Sequence, residues 1–217
     1  MACSGRASAI SCILGRNGVG KTTLIRALMG MLPDLERSLT LDHQDISALP
    51  VHRMLRCGVA LVPEDRGVFP SLTVLENLKL AAHNAGCAST ADFDSVYTLF
   101  PDLAERSSAY SGNLSGGQQE MLAVARGLVT RPKVLILDEP THGLSPLLAE
   151  RIVGILPNLK QQGVAVILVE QSVELALSVA DRVTILHKGA IVFEGPAAAL
   201  QQDETLIDRF LHVGVST

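Results

Sequence analysis

The sequence predicts an α/β fold, in which a mostly parallel β-sheet is covered by helices and carries an inserted helical segment. Three segments support this prediction by their order along the chain. Residues 15–22 form a glycine-rich loop after an apolar run, residues 114–118 begin a helix, and residues 134–139 form an apolar strand that ends in two carboxylates. Short apolar strands that alternate with helical patterns are typical of parallel sheets covered on both faces.

Composition limits the classes of protein to which the chain can belong. Its 217 residues are enough for one large domain or two small lobes with a sizeable core. Because 47% of the residues are apolar and only 3% are aromatic, we expect a core of Leu, Val, Ile and Ala. The net charge is −4 and no basic cluster occurs, which argues against nucleic acid as the main partner.

The sequence carries no signal for export or membrane insertion. No apolar run approaches the roughly 18 residues of a membrane span, and the apolar run over residues 9–14 is too short for the core of a signal peptide. The cysteines, which lack metal-ligand spacing, are Cys3, Cys12, Cys57 and Cys87. We therefore expect a cytoplasmic protein with reduced thiols.

The first part of the chain predicts a strand, a loop and a helix in succession. Residues 9–14 form the strand, and residues 22–29 carry apolar residues at helical spacing until Gly30 ends the helix. Two further short strands are expected at residues 38–41 and 59–62, around a polar piece that is compatible with a helix.

The middle of the chain predicts three helices. Thr73 and Glu76 form a capping-box pattern that opens a helix over residues 74–82. A second helical pattern covers residues 92–100 and is broken by a proline, and Ser115 can cap a third helix.

The last third of the chain returns to alternating strands and helices. Pro157 lies within a helical pattern over residues 146–161 and should kink it, because proline removes an amide donor and clashes with the preceding turn. The other elements expected here are strands at 134–137, 164–169, 183–186 and 190–193 and a helix at 173–180.

The glycine-rich loop has the spacing of a phosphate-binding loop, G-x-x-x-x-G-K-[S/T]. Its backbone amides and the positive end of the following helix can hold phosphate oxygens. Lys21 would pair with the β- and γ-phosphates and Thr22 would ligate Mg²⁺. The remaining candidate nucleotide-binding residues of this segment are Gly15, Asn17, Gly18, Gly20 and Thr23.

Asp138 and Glu139 end an apolar strand, which is where parallel-sheet proteins present ligand groups. Asp138 can hold the metal shell, and Glu139 can act as the general base on the attacking water. Two acids that merely open a loop are common, but their combination with a phosphate-binding loop favours the catalytic interpretation.

Ser115, Gly116, Gly117 and Gln118 place a hydroxyl and two side-chain-free positions at a helix start, which can bind an anion. A plain capped helix would also explain Ser115. One nucleotide rarely needs two such helix starts from one chain. A dimer needs them, because each chain can offer this end to the γ-phosphate held by the other.

Together, the phosphate-binding loop, residues 114–118 and residues 137–140 resemble the nucleotide-binding subunit of an ABC transporter. Four further segments resemble, within that superfamily, the branched-chain amino acid and urea or amide uptake systems; they are residues 61–64, 68–78, 143–146 and 169–171. The resemblance covers nearly the whole chain from residue 9 onward.

The fold implied by this resemblance is that of a P-loop NTPase. It comprises a RecA-like parallel-sheet core, a reduced antiparallel β subdomain and an inserted helical subdomain. On this basis we expect residues 1–69 and 131–217 to form the nucleotide-binding core, and residues 70–130 to form the helical subdomain that carries the signature.

The resemblance also implies a function and partners. It implies a subunit that binds and hydrolyses ATP with Mg²⁺ and powers an importer for branched-chain amino acids, urea or short amides. The expected partners are a paralogous ATP-binding subunit, transmembrane permease subunits that dock on residues 68–78, and indirectly a periplasmic solute-binding protein. The expected location is peripheral, on the cytoplasmic side of the inner membrane.

Two positions depart from the pattern of most ABC ATPases, which carry Gln where Glu64 stands and His where Gln171 stands. The resemblance implies that Glu64 touches the metal shell and that Gln171 contacts the γ-phosphate. Glutamate can still accept a hydrogen bond from a metal shell, and glutamine can still donate one to phosphate. Because Gln171 cannot carry a positive charge, it would stabilise the transition state less.

Compared with the family, the chain is expected to be shortened at its N-terminus, and no aromatic residue precedes Phe69 to stack on adenine. His142, beside the loop expected at the dimer contact, is interpreted as a surface histidine. Three alternatives stay open: a non-transport ABC ATPase, a P-loop kinase, and a truncated subunit that binds ATP weakly. The signature helix argues against the kinase.

Overall fold

The computed structural model of the protein describes residues 8–32, 35–89 and 91–211. The chain forms two compact units. Unit 1 comprises the chain up to Thr23 together with the chain from Ile136 onward, and unit 2 comprises Leu24–Leu135. The division predicted from the sequence, with a helical subdomain over residues 70–130, stays a prediction.

The strands are two to seven residues long. In chain order they are β1 (Ile10–Leu14), β2 (Thr40–Leu41), β3 (Gln44–Asp45), β4 (Val59–Val62), β5 (Val134–Asp138), β6 (Ala165–Glu170), β7 (Arg182–His187) and β8 (Ala190–Pro196).

Helices lie between many of these strands, and several follow one another between β4 and β5. They are α1 (Lys21–Leu28), α2 (Val51–Arg56), α3 (Val74–Asn84), α4 (Phe93–Leu99), α5 (Pro101–Glu105), α6 (Gly116–Leu128), α7 (Pro146–Gly154), α8 (Leu156–Gln161), α9 (Val173–Val179), α10 (Ala197–Gln201) and α11 (Glu204–Phe210), with a 3₁₀ turn at Ser111–Asn113.

Unit 1 is built on a sheet in the order β5, β6, β1, β7, β8. Strand β1 pairs in parallel with β6, from Ile10 opposite Val166 to Leu14 opposite Glu170, and in parallel with β7 on its other side. Strand β8 returns antiparallel to β7. Helices α8 and α9 pack on β1 and β6. The parallel order brings the carboxyl ends of β1 and β6 to one edge, which carries the residues of the candidate site.

The core of unit 1 consists of aliphatic side chains, as the composition predicts. Fully buried examples are Leu14, Leu137, Leu168 and Ile185, each on a different strand. Burial of such side chains contributes roughly 1.5–3 kcal/mol each before chain entropy is subtracted. The strands that present the site are therefore anchored by their own apolar residues.

Unit 2 contains the antiparallel pair β2–β3 and a group of helices around α6, which packs against α3, α5 and β4. Thr73 and Glu76 form the predicted capping box of α3, since each accepts a hydrogen bond from the other's backbone amide. Gly127 of α6 lies close to Val62 and Leu135, and a Cβ atom there would be 3.0 Å from each side chain. Glycine therefore allows α6 to approach β4.

Several boundaries differ from the sequence prediction for identifiable reasons. The helix predicted over residues 146–161 is two helices, because Pro157 falls in the first turn of α8, where its missing amide costs no bond. Similarly, Pro101 begins α5 as well as ending α4. Strand β3 was not predicted, because two polar residues give no periodic signal.

No helix within the described residues is long and apolar enough to cross a membrane.

Candidate functional site

The phosphate-binding loop lies in unit 1 between β1 and α1, as the sequence predicts. Gly15 is buried against β7, and a Cβ atom there would lie 2.6 Å from the carbonyl oxygen of Leu186. Gly18 and Gly20 have φ angles of +77° and +105°, which glycine adopts without steric cost. Asn17 and Gly18 are exposed, so the loop presents its backbone to solvent.

Lys21 is folded back over this loop and is only 4% exposed. Its ammonium group donates to the carbonyl oxygens of Gly15 at 2.6 Å and Arg16 at 3.0 Å. It also forms an ion pair with Oε1 of Glu139 at 3.0 Å. Because an ammonium group has three donors, these three acceptors saturate it. A phosphate that binds Lys21 must therefore displace at least one of them.

Glu139 follows β5 directly and has a left-handed backbone, with φ +52°. Such a conformation costs a non-glycine residue about 1–3 kcal/mol and persists only where the surroundings enforce it. Here the Glu139 amide donates to the carbonyl oxygen of Val169 on β6 at 3.0 Å. The left-handed turn therefore belongs to the way in which the strand end presents this carboxylate.

Three side chains surround the Glu139 carboxylate, which is 6% exposed. Lys21 holds Oε1. The side-chain amide of Gln171 donates to Oε2, and Nδ1 of His142 lies 3.3 Å from the same oxygen. The structure thus unites Lys21, Glu139 and Gln171, which the sequence predicted as separate parts of one site.

The protonation of Glu139 follows from these neighbours. Burial by itself raises the pKa of the carboxyl, but hydrogen bonds from Lys21 and Gln171 and the positive charge of Lys21 outweigh it, so the pKa lies below its usual value. The group is therefore ionised at neutral pH and can accept a proton from water, as a general base must.

Asp138 and Thr22 supply oxygen donors of the kind that Mg²⁺ prefers. Asp138 is buried at the end of β5, and Thr22 is half-buried in the first turn of α1. Asp138 precedes Glu139 in sequence and Thr22 follows Lys21, so each oxygen ligand is next to one member of the ion pair. A carboxylate and a hydroxyl of unit 1 fit such an ion. Thr23, the last predicted residue of this segment, is exposed on α1.

The signature residues open α6 in unit 2. The Ser115 hydroxyl accepts from the Gln118 amide at 3.3 Å, and the Gln118 side chain accepts from the Ser115 amide at 3.0 Å. These two bonds form a capping box, so Ser115 has a structural role as the N-cap of α6. Ser115 and Gly116 are exposed, whereas Gly117 is buried. The helix start is therefore both capped and accessible.

Glu64 follows β4 in unit 2 and is exposed. Its expected contact with a metal shell stays a prediction.

Two residues of the site have contacts that the sequence analysis did not anticipate. His142 is on the surface as predicted, with its side chain 55% exposed, yet its ring lies against Glu139. The sequence assigns no role to Glu170 beyond its place in the resemblance, yet it is buried and bonded to Thr141 and Gln171. A carboxylate at the end of an apolar strand, directly before Gln171, was the available signal for Glu170.

A parallel sheet with a phosphate-binding loop after β1 and an acid pair at the end of β5 defines a P-loop nucleotide hydrolase. The family model for the ABC transporter matches residues 3–142. The chain belongs to the ABC transporter ATP-binding family, and it is a nucleotide-binding ATP hydrolase that couples hydrolysis to transport.

Two curated relatives align over most of the chain. The high-affinity branched-chain amino acid transport ATP-binding protein BraG of Pseudomonas aeruginosa is 39% identical over 92% of this chain and 86% of its own length. The probable branched-chain amino acid transport ATP-binding protein LivF of Archaeoglobus fulgidus is 37% identical over 91% of this chain and 84% of its own.

Solved structures share the fold. The ADP conformation of MJ1267, an ATP-binding cassette of an ABC transporter, is 25% identical with a TM-score of 0.75 over 93% of this chain and 87% of that one. An ATP-binding subunit of an ABC transporter at 23% identity has a TM-score of 0.80 over 92% of this chain and 83% of that one. The latter likeness concerns the fold alone.

The ion pair predicts opposite effects of Glu139→Gln on hydrolysis and on binding. Loss of the candidate general base should lower kcat by about 100-fold or more. Loss of the charged partner of Lys21 should tighten ATP binding, by about 1 kcal/mol or roughly fivefold in Kd. Steady-state ATPase assays and nucleotide titration measure the two effects. Glu150→Gln, an exposed change on α7, is the control and should alter neither. Weaker ATP binding by the Glu139 variant would contradict the competition.

Proposed function

We propose that this chain powers the import of branched-chain amino acids or a related amide. The support is the pair of relatives at 39% and 37% identity, both named as ATP-binding proteins of branched-chain amino acid transport. The segments at residues 61–64, 68–78, 143–146 and 169–171 resemble the same branch. The proposal that the chain hydrolyses ATP at this site rests on the cluster of Lys21, Glu139 and Gln171, in which all three donors of the Lys21 ammonium group are engaged.

The proposed reaction is in-line attack of water on the γ-phosphate of ATP, which yields ADP and phosphate. The backbone of residues 15–22 and Lys21 hold the phosphates, and Glu139 accepts the proton of the attacking water. Gln171 donates one of its two side-chain N–H groups to Glu139, and it is proposed to donate the other to the γ-phosphate of bound ATP. Catalysis is then mainly positional and electrostatic.

Mg²⁺ is the proposed cofactor, held by Thr22 and Asp138, with Glu64 as a further predicted contact. When bound, the ion would neutralise charge on the phosphates. Of the three acceptors that hold Lys21, Glu139 is the one that we propose a bound phosphate displaces. We therefore propose that ATP frees the Glu139 carboxylate for its role as base.

The proposed active unit is a dimer with a paralogous ATP-binding subunit. Ser115 and Gly116 are exposed at the start of α6, where amides and the helix dipole favour an anion. The chain already supplies one phosphate-binding helix start at Lys21. We propose that Ser115, Gly116 and Gly117 complete the site of the partner subunit, with Gln118 holding the cap.

Residues 68–78 are the proposed docking surface for the transmembrane permease subunits. Phe69 is 43% exposed, and its backbone is fixed by Asn77, which accepts from its amide at 3.0 Å and donates to its carbonyl oxygen at 3.1 Å. The guanidinium of Arg126 lies 5.0 Å from the ring centroid. An exposed aromatic ring on a rigid backbone suits protein recognition.

Docking on a permease would place the chain on the cytoplasmic side of the inner membrane as a peripheral subunit. A periplasmic solute-binding protein would then act indirectly, through the permease.

Substitution of Ser115 by arginine tests the shared site. Ser115→Arg should leave ATP binding by the isolated chain within about twofold, and should lower turnover about 100-fold by obstructing the γ-phosphate of the partner. Nucleotide titration, ATP-dependent dimerisation by light scattering and ATPase assays measure these effects. Ser108→Arg, at another exposed serine of unit 2, is the control. Normal turnover in the Ser115 variant would remove the signature assignment.

Removal of the Phe69 ring separates transport from hydrolysis. Phe69→Ala retains the backbone bonds to Asn77, so basal ATPase activity should stay within about twofold of wild type, while uptake of labelled leucine with the permease falls at least about tenfold. Ile191→Ala, at an exposed apolar residue of β8, should change neither. If basal activity fell as far as uptake, the docking assignment would be wrong.

A further inference from the structure

Glu170 is a buried carboxylate that the proposed chemistry does not use. It ends β6 after a run of aliphatic residues and is 3% exposed. It lies opposite Leu14, the residue directly before the phosphate-binding loop. A charged group in this position needs an explanation, because its burial is costly unless it is well paired.

Both oxygens of Glu170 are engaged, and they bind two separate segments of unit 1. Oε1 accepts from the Thr141 hydroxyl at 2.7 Å and from the Thr141 amide at 3.3 Å. Oε2 accepts from the Gln171 amide at 3.1 Å. The carboxylate therefore ties the loop after β5 to the loop after β6.

These two loops carry two of the groups that hold Glu139. Gln171 donates its side-chain amide to the Glu139 carboxylate, and His142, which follows Thr141, places its ring against the same oxygen. The position of both groups depends on backbone that Glu170 fixes. The hydrogen bonds of Glu170 go to Thr141 and Gln171, so Glu170 acts on the proposed base through these neighbours.

The chemistry of the three donors explains why this residue is an acid. Three groups converge on one side chain, and an ionised carboxylate accepts at both of its oxygens without presenting a donor. Burial and, to a smaller extent, the nearby negative charge of Glu139 raise the pKa of Glu170 above its usual value, although the bonds from Thr141 and Gln171 oppose that shift. An apolar residue would fill the same space without this cost, so packing alone does not account for the acid.

We propose that Glu170 is a positioning residue for catalysis, which sets the Thr141 loop and Gln171 so that the Glu139 carboxylate is held in its reactive orientation. This inference rests on the proposed role of Glu139 as general base.

Glu170→Gln tests the inference with a change of nearly equal size. Glutamine offers one oxygen and one NH₂ group, so a donor faces either Thr141 or the Gln171 amide. Misplacement of the base should lower kcat by about 10- to 100-fold. The KM for ATP should change much less than kcat, because Lys21 and the phosphate-binding loop, which supply most of the proposed phosphate contacts, are unchanged.

Two control variants distinguish positioning from a loss of stability. Glu174→Gln makes the same chemical change at an exposed residue of α9 and should have wild-type kcat and Tm. Asp181→Asn weakens a structural carboxylate of the same unit, which accepts from the Ile10 amide and from Lys160. This variant should have a lower Tm, but its kcat, measured at a temperature at which it is folded, should equal that of wild type. A kcat loss in Asp181→Asn equal to that in Glu170→Gln would overturn the positioning role.

A double substitution tests whether Glu170 acts through Thr141. Thr141→Val removes the hydroxyl, and its effect combined with Glu170→Gln should be clearly smaller than the product of the two single effects, because both disturb one connection. The inference alone is overturned if the double variant loses kcat by the full product of the two single effects. It is also overturned if Glu170→Gln has wild-type kcat while Glu139→Gln is impaired. Wild-type kcat in Glu139→Gln would instead overturn the general base, and the inference with it.

Discussion

The ion pair between Lys21 and Glu139 is the interaction on which the site depends. It joins the two segments that a nucleotide hydrolase must keep in register, the phosphate-binding loop after β1 and the acid pair at the end of β5. Each member has its other partners within unit 1, since Lys21 binds the loop carbonyls and Glu139 binds Gln171. The proposed phosphate ligand and the proposed base therefore neutralise each other, and under the proposed mechanism ATP separates them.

The parallel sheet makes this arrangement possible. Strands β5, β6 and β1 are neighbours, so the residues that follow them meet at one edge of unit 1. Hydrogen bonds between strand ends then refine the geometry: the Glu139 amide binds Val169, and Glu170 binds Thr141 and Gln171. The buried aliphatic residues hold the strands rigidly in place, and this fixes the positions of the polar residues at the strand ends. A left-handed backbone at Glu139 is sustained only in such a setting.

The sequence predicts the parts of this site better than their contacts. The phosphate-binding loop, the acid pair and the Ser115 cap are local patterns, so their spacing alone locates them on strands and helices. The contacts depend on the tertiary pairing of β1, β5 and β6, which no local pattern encodes. They are the ion pair of Lys21 with Glu139, the ring of His142 beside Glu139, and the hydrogen bonds of Glu170 to the loops after β5 and β6. Similarly, the sequence predicts that Pro101 and Pro157 interrupt helices, but whether each proline begins a new helix depends on packing.

A double-mutant cycle on Lys21 and Glu139 tests the central claim most directly. Unfolding of wild type, Lys21→Met, Glu139→Gln and the double variant in urea, without nucleotide, yields the coupling free energy of the pair. The ion pair predicts a favourable coupling of at least about 0.5 kcal/mol, which disappears when a saturating non-hydrolysable ATP analogue takes Lys21. A coupling of zero in the nucleotide-free protein would contradict the account, because the two groups would then be free before ATP binds.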